Sequence, residues 1–264
     1  MKAIYARGLF FIFITSLYSE EPHHTTAFVR PCDNLVSYSR YSTAHFWNKK
    51  GKKLPAFNYF DRNCYLLYSE FALNDINALF LNGGYSTVKE SMNGSSQAVT
   101  DALTGWKHLF YKSKCSALSG ELTALIPLGD KKSSIRYGKW GIQIRLLYSM
   151  LLSKRLWIDS GIGCRFYEGF PSDQLRSFVA IGYQLPSVTI IATAESHFGF
   201  FNGNPNGNRN NIIFDSNYRL IKAKIECTVH LMKTLTLTMG TFRHLWGQNC
   251  GAGGGYFCGT WIIF

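Results

Sequence analysis

The sequence lacks a long hydrophobic run. Beyond the amino terminus no stretch of about 18 consecutive apolar residues occurs, whereas a helix that crosses a bilayer needs about 20, so helical membrane spans are excluded. The mean hydropathy is −0.05. Proline is scarce, with 7 residues in 264, which argues against a disordered chain. Aromatic residues reach 16%, and this enrichment favours β-strands.

The amino terminus has the pattern of an export signal. Lys2 and Arg7 are basic, and Gly8 to Tyr18 form an apolar core that is too short to span a bilayer as a helix. The pattern predicts a secretory signal peptide over residues 1–19, cleaved after Ser19, and a periplasmic segment over 20–35. The alternative is a buried amino-terminal strand.

Acidic residues and paired cysteine motifs are also sparse. The 16 Asp and Glu stand against 28 Lys and Arg, a net charge of +12. Nucleic acid is one partner of a basic chain, but export favours anionic lipid or envelope sugars, so we expect outer-membrane lipid and no nucleic acid. The densest basic run, Asn48 to Lys53, falls in a predicted loop.

None of the seven cysteines forms Cys-x-x-Cys, so we predict no metal and no cofactor.

The rest of the chain alternates with a period of two residues, which is typical of strands. In Tyr218 to Leu231, for example, Ile225 and its neighbours at even spacing are apolar, and Lys224 and Glu226 lie on the opposite face. We predict twelve strands, at 36–47, 63–73, 77–88, 100–111, 115–127, 137–150, 155–167, 174–185, 188–200, 218–231, 234–246 and 255–264.

The predicted connections alternate between long and short. Short connections follow the even-numbered strands, for example Pro186 and Ser187, and the largest long one is Phe201 to Asn217. Short turns at one end and long loops at the other are typical of outer-membrane barrels. The sequence therefore predicts an all-β fold over 36–264: a closed antiparallel transmembrane barrel with an up-and-down meander of about twelve strands, located in the outer membrane. A soluble sandwich is the alternative, but its Greek-key connections give no reason for this alternation.

The chain ends on an apolar strand, GYFCGTWIIF. This ending resembles the terminal signal of outer-membrane barrels, which implies recognition by the barrel assembly machinery. Tyr256, Ile262 and Phe264 are the predicted insertion-signal residues. A buried edge strand is the alternative for this segment alone.

Two stretches resemble a known family. Glu70 to Asp75, followed by Leu79, is similar to the "E-Y-G-L-T-D…L" hairpin of an outer-membrane family linked to the meta-pathway of phenol degradation, with Phe71 and Ala72 in place of Tyr and Gly. Thr100 to Lys112 resembles the next signature strand of that family, with Asp101, Gly105 and Lys107 at its Asp, Gly and Lys. The resemblance implies kinship with barrels that take up fatty acids and aromatic hydrocarbons.

The polar faces of the strands define the candidate functional residues. They carry both charge signs with basic residues in excess, and they fit either a hydrated or gated path or an ion-pair network that plugs a narrow barrel. The path predicts mild anion selectivity. The predicted lumen-lining residues are Glu70, Asp101, Lys107, Glu121, Lys139, Gln143, Arg145, Asp159, Arg165, Arg176, Glu195, His197, Lys222, Lys224, Glu226 and His230.

Three functions fit these residues. The first is a channel or transport protein for small solutes, with aromatic or hydrophobic molecules as candidates. The second is a structural or adhesive barrel whose loops bind a partner. The third is an enzyme similar to the twelve-stranded outer-membrane phospholipase, whose catalytic His and Ser are two residues apart. Here His197 is followed by Phe198 and Gly199, so no catalytic set is assembled and we predict a protein that is not an enzyme.

Overall fold

A computed structural model describes residues 27, 32–90, 94–128, 138–203 and 214–263. The predicted signal peptide and Phe264 lie outside this part of the chain. Among the described residues, no helix is long and apolar enough to cross a membrane. The described strands are β1 (Cys32–Trp47), β2 (Lys53–Asn74), β3 (Asn77–Glu90), β4 (Gly94–Val99), β5 (Ala102–Lys112), β6 (Ser116–Ile126), β7 (Gly141–Leu151), β8 (Leu156–Tyr167), β9 (Gln174–Gln184), β10 (Val188–Gly199), β11 (Phe214–His230), β12 (Leu235–Gly251) and β13 (Gly254–Ile263).

These strands form one closed antiparallel ring. Strands that follow one another in the chain pair with each other, except β4 with β5, and the pairing of β13 with β1 closes the ring. The ring has twelve positions because β4 and β5 both pair with β3 and share one position. Between them Thr100 and Asp101 form an irregularity, since Tyr85 pairs with Val99 whereas Asn82 pairs with Leu103. The predicted twelve-stranded up-and-down barrel is confirmed.

The two faces of each strand differ as the alternation predicts. On β11 Ile225 is 61% exposed on the outside and Lys224 is 2% exposed inside. On β7 Ile144 is exposed and its neighbour Arg145 is buried. Apolar residues thus cover the outer wall and polar residues the interior, as lipid around a barrel requires.

The tight turns all lie at one end of the barrel. They join β2 to β3, β5 to β6, β7 to β8, β9 to β10 and β11 to β12. At the opposite end, the loops predicted at 48–62, 89–99 and 247–254 are largely strand, because the β1–β2 and β3–β4 pairs continue beyond the predicted limits and the end of β12 pairs with β1 and β11. Aromatic and β-branched residues such as Tyr59, Phe60 and Val88 favour this extended pairing.

Aromatic side chains fill the interior at two levels. Leu35, Tyr68, Phe80, Trp157 and Trp261 belong to a cluster toward the tight turns, and a larger cluster around Tyr41 lies toward the opposite end. The rings lean over glycines of adjacent strands: the indole of Trp157 occupies the space that a Cβ on Gly182 would need. Polar side chains lie among these clusters, with Glu70 directly opposite Phe80 and Lys224 directly opposite Phe242.

Candidate functional site: the charged interior of the barrel

The structure places the predicted polar residues inside the barrel. Lys139, which precedes β7, and His230, at the end of β11, are half-buried. Tyr256 is exposed on the outer wall, and Ile262 is half-buried. The remaining predicted residues are buried: Glu70, Asp101, Lys107, Glu121, Gln143, Arg145, Asp159, Arg165, Arg176, Glu195, His197, Lys222, Lys224 and Glu226.

Glu70 and Lys107 form an ion pair that spans three strands. The Lys107 Nζ lies 2.9 and 2.8 Å from the two Glu70 carboxylate oxygens, and both side chains are 0% exposed. Glu70 is on β2 and Lys107 on β5, with β3 between them. The β3 residue beside Lys107 is Ala78, whose small side chain leaves room for the lysine to reach across. The Tyr68 hydroxyl donates to Glu70 at 2.7 Å. The two stretches that carry the family resemblance therefore meet at this pair.

Two further ion pairs join directly opposed residues of adjacent strands. Arg145 on β7 is opposite Glu121 on β6, and its Nε and Nη2 donate to one carboxylate oxygen at 2.9 and 2.5 Å. Lys222 on β11 is opposite Glu195 on β10, with 2.6 Å between Nζ and Oε2. Such cross-strand pairs stabilise the sheet, and burial makes each partner depend on the other for charge compensation.

The remaining contacts continue this network around the wall. Lys224 pairs with Glu226 on the same face of β11 at 2.6 Å, and Thr238 donates to Glu226 at 2.7 Å. Arg165 donates to the side-chain oxygen of Gln143 at 2.7 Å, and Arg176 donates to that of Gln174 at 3.0 Å. Inward polar side chains are thus hydrogen-bonded from β2 through β12.

Sequence reasoning missed several interior residues. Asp33, Arg62 and Glu90 are buried and face inward, and the Arg62 guanidinium donates to the Ser86 hydroxyl at 3.2 and 3.3 Å. They lie at or beyond the predicted strand ends, so continuing the alternation by one to three residues would have found them. With them, acidic and basic side chains are nearly balanced among the buried residues that the structure describes. The predicted basic excess therefore does not hold for this part of the interior.

Ala27 lies inside the barrel, far from β1 in ring order. Its amide donates to the Ser149 hydroxyl at 2.8 Å, and its carbonyl accepts from the Ser119 hydroxyl. These serines are on β7 and β6, near the tight turns. Ala27 is fully buried, and its contacts extend the interior network to a residue that precedes the first strand.

The histidine considered for catalysis lies among other interior side chains. His197 Nδ1 is 3.5 Å from an Arg176 nitrogen, and its ring packs edge-on near Tyr218 with centroids 6.4 Å apart. The described residues contain no cluster of His, Cys, Asp or Glu that could hold a metal ion.

The fold is similar to those of solved outer-membrane proteins. An outer membrane channel from Pseudomonas putida F1 superposes with a TM-score of 0.75 at 12% identity, over 92% of this chain and 99% of the channel. The KdgM porin in complex with disordered oligogalacturonate has a TM-score of 0.52 at 10% identity, covering 87% and 99%. The NanC porin has a TM-score of 0.52 at 7% identity, covering 88% and 99%. No protein-family model and no curated protein matches the sequence. At these identities the likeness is one of fold, that of outer-membrane β-barrel channels.

Proposed function

We propose that this protein is an outer-membrane channel that passes small molecules. The observation that carries the proposal is the set of paired, charged side chains around the inner wall of a closed barrel whose outer wall is apolar. A barrel that served only as a scaffold could fill its interior with apolar side chains, which need no charge compensation. The predicted signal peptide, the predicted insertion signal and the similarity in fold to channel structures support the location and the class.

The burial of this network supports a channel that is closed at rest. The ion pairs Glu70–Lys107, Glu121–Arg145 and Glu195–Lys222 leave little exposed charge. Passage of a solute then requires a rearrangement that exchanges these pairs for contacts with water or solute. Ala27 adds a buried residue to this closed interior, between β6 and β7.

Small aromatic or hydrophobic molecules are the proposed solutes. The support is the pair of aromatic clusters that lie beside the charges, one including the stacked rings of Tyr68 and Phe80 with centroids 6.1 Å apart. Stacking rings offer contacts to an aromatic solute. The link to phenol degradation remains a prediction from the family resemblance.

Two measurements on refolded protein test the proposal. Single-channel recording detects ion passage, and proteoliposomes loaded with a fluorescent quencher detect uptake of a small phenol. The double variant Glu195→Gln with Lys222→Met removes one buried pair without leaving a lone charge, and we expect it to open more often than wild type. Ile225→Leu on the outer wall is the matched control. The near balance of buried charge predicts weak ion selectivity, in place of the anion preference expected from the sequence.

The possible outcomes distinguish a gated pore, lateral passage into the bilayer and a structural barrel. Conductance that rises in the double variant supports a gated pore. A silent barrel that still takes up phenol supports lateral passage into the bilayer. Absence of both conductance and uptake overturns the proposal and favours the second candidate, a structural barrel stabilised by an ion-paired plug, which the 0% exposure of Glu70 and Lys107 favours.

A further inference from the structure

A depression lies over β13 on the outer wall. Its volume is about 350 Å³, and it is open to the surroundings. The outward side chains of β13 there are the small Cys258 and Thr260, and the larger Met239 on β12 and Tyr38 on β1 flank them. This groove is mainly apolar and lies on the outer wall, which faces acyl chains.

Two arginines face outward on the strands that flank β13, toward the loop end. Along β13 toward the loop end, Cys258 is followed on this face by Tyr256 and Gly254. Arg40 on β1 is opposite Tyr256, and Arg243 on β12 is opposite Gly254.

The arginines keep a positive charge at this level. The Arg40 guanidinium is held by Asp61, with Nε 3.0 Å from Oδ1 and Nη2 2.5 Å from Oδ2, and its side chain is still 41% exposed. Arg243 is exposed and forms no ion pair with any side chain that the structure describes. The two arginines thus have one acidic partner between them, Asp61, and this part of the surface keeps a net positive charge.

The basic run of the sequence lies further out on the same strands. Asn48 to Lys53 forms the turn between β1 and β2, fixed by the Asn48 Oδ1, which accepts from the amides of Lys50 and Lys52 at 2.9 and 3.0 Å. The lysine side chains are exposed. From the groove toward the loop end of the barrel, the surface is therefore first apolar, then carries the two arginines, and then the lysines.

We propose that this surface, formed by β12, β13, β1 and the β1–β2 turn, binds a phosphorylated glycolipid of the outer leaflet. An acyl chain occupies the groove, a phosphate lies between Arg243 and Arg40, and phosphate groups of the sugar core meet the lysines. Arginine suits phosphate because its fork of N–H donors matches the phosphate oxygens. The proposal rests on the proposed outer-membrane location but not on channel activity.

Native mass spectrometry of the refolded full-length protein in non-ionic detergent tests the site. The probes are bisphosphorylated hexa-acyl lipid A, phosphatidylglycerol and phosphatidylethanolamine. We expect lipid A to bind most tightly. Arg243→Gln should weaken its binding about fivefold, the size expected for one basic residue at an anionic membrane surface. Cys258→Trp should weaken it by filling the groove. Arg155→Gln, exposed on the turn between β7 and β8, is the matched control and should bind as wild type does.

The shift in gel mobility on heating shows whether each variant is folded. The double variant Lys49→Gln with Lys50→Gln, in the exposed β1–β2 turn, is a second test of lipid A binding. Equal binding by wild type, Arg243→Gln and the lysine variant overturns the proposal. So does phosphatidylethanolamine or phosphatidylglycerol binding as tightly as lipid A. A dimer that Arg243→Gln dissociates assigns the surface to a second copy and also overturns it. A barrel that binds lipid A but neither conducts nor takes up solute supports this site while rejecting the proposed transport function.

Discussion

Replacing Glu70 by Gln should destabilise the barrel strongly, because it removes one charge of a fully buried pair. The substitution keeps the shape of the side chain but leaves the Lys107 ammonium facing a neutral amide. Both side chains of the pair are 0% exposed, so water cannot replace the lost carboxylate. Breaking such a pair costs about 3–5 kcal/mol, since an uncompensated charge stays buried.

Removing the whole cluster should cost much less. The triple variant Tyr68→Phe, Glu70→Leu, Lys107→Met deletes both charges and also the hydroxyl that donates to Glu70 at 2.7 Å. Apolar replacement of buried pairs is often neutral or stabilising, and removing the hydroxyl avoids a buried unsatisfied donor, which would cost about 1–3 kcal/mol. We therefore expect the triple variant to be more stable than Glu70→Gln.

Urea unfolding in lipid vesicles, followed by tryptophan fluorescence, measures both free energies, and the slope with urea shows whether the unfolded state has changed. Lys154→Gln, on an exposed turn, is the control and should change stability by less than about 0.5 kcal/mol. A loss below about 1 kcal/mol for Glu70→Gln would refute the reasoning, because it would mean that water reaches the pair. Equal losses in the single and triple variants would show that packing, not charge compensation, dominates at this position.

Three other predictions concern the wall and its assembly. Ile225→Arg should cost about 2–4 kcal/mol in the same unfolding assay, whereas Lys224→Gln should cost less unless loss of its ion pair dominates; the reverse order would contradict the observed orientation of β11. Gly182→Val should cost about 1–3 kcal/mol by overpacking, because Trp157 occupies the space beside Gly182, and combining it with Trp157→Ala should recover part of the loss. Deleting Phe264 should lower the heat-modifiable, membrane-inserted fraction on gels, and unchanged insertion would remove its role as a signal.

The sequence was sufficient to predict the strands and their faces because both depend on local alternation. A period of two assigned Ile225 to the outer wall and Lys224 to the interior, as the exposures show. The strand ends were less predictable. The strand β1 ends at Trp47 as predicted, but β2 begins at Lys53 and not at residue 63, since pairing between two long strands continues where no single-strand pattern marks an end.

The partners of the interior charges could not be predicted. Glu70 and Lys107 are 37 residues apart, and their contact depends on the register of three strands and on the small size of Ala78. Lys222 meets Glu195 only because β10 and β11 pair in one particular register. Alternation shows which face a residue occupies, but it carries no information about which residue of a neighbouring strand lies opposite. The position of Ala27 is likewise a tertiary contact without a local signal.

The short length of β13 has a consequence for biogenesis. Beyond its outer end β1 and β12 pair directly, Phe46 with Gly251 and Trp47 with Cys250. The strand β13 therefore lies between β1 and β12, and the direct β1–β12 pairing sets the limit to which β13 can extend. Neighbours on both sides limit register slippage of β13, and the β1–β12 contact covers part of two sheet edges that β13 does not reach. A truncated or misaligned β13 therefore leaves backbone groups of β1 and β12 without their hydrogen-bond partners, and the barrel wall stays open at this position.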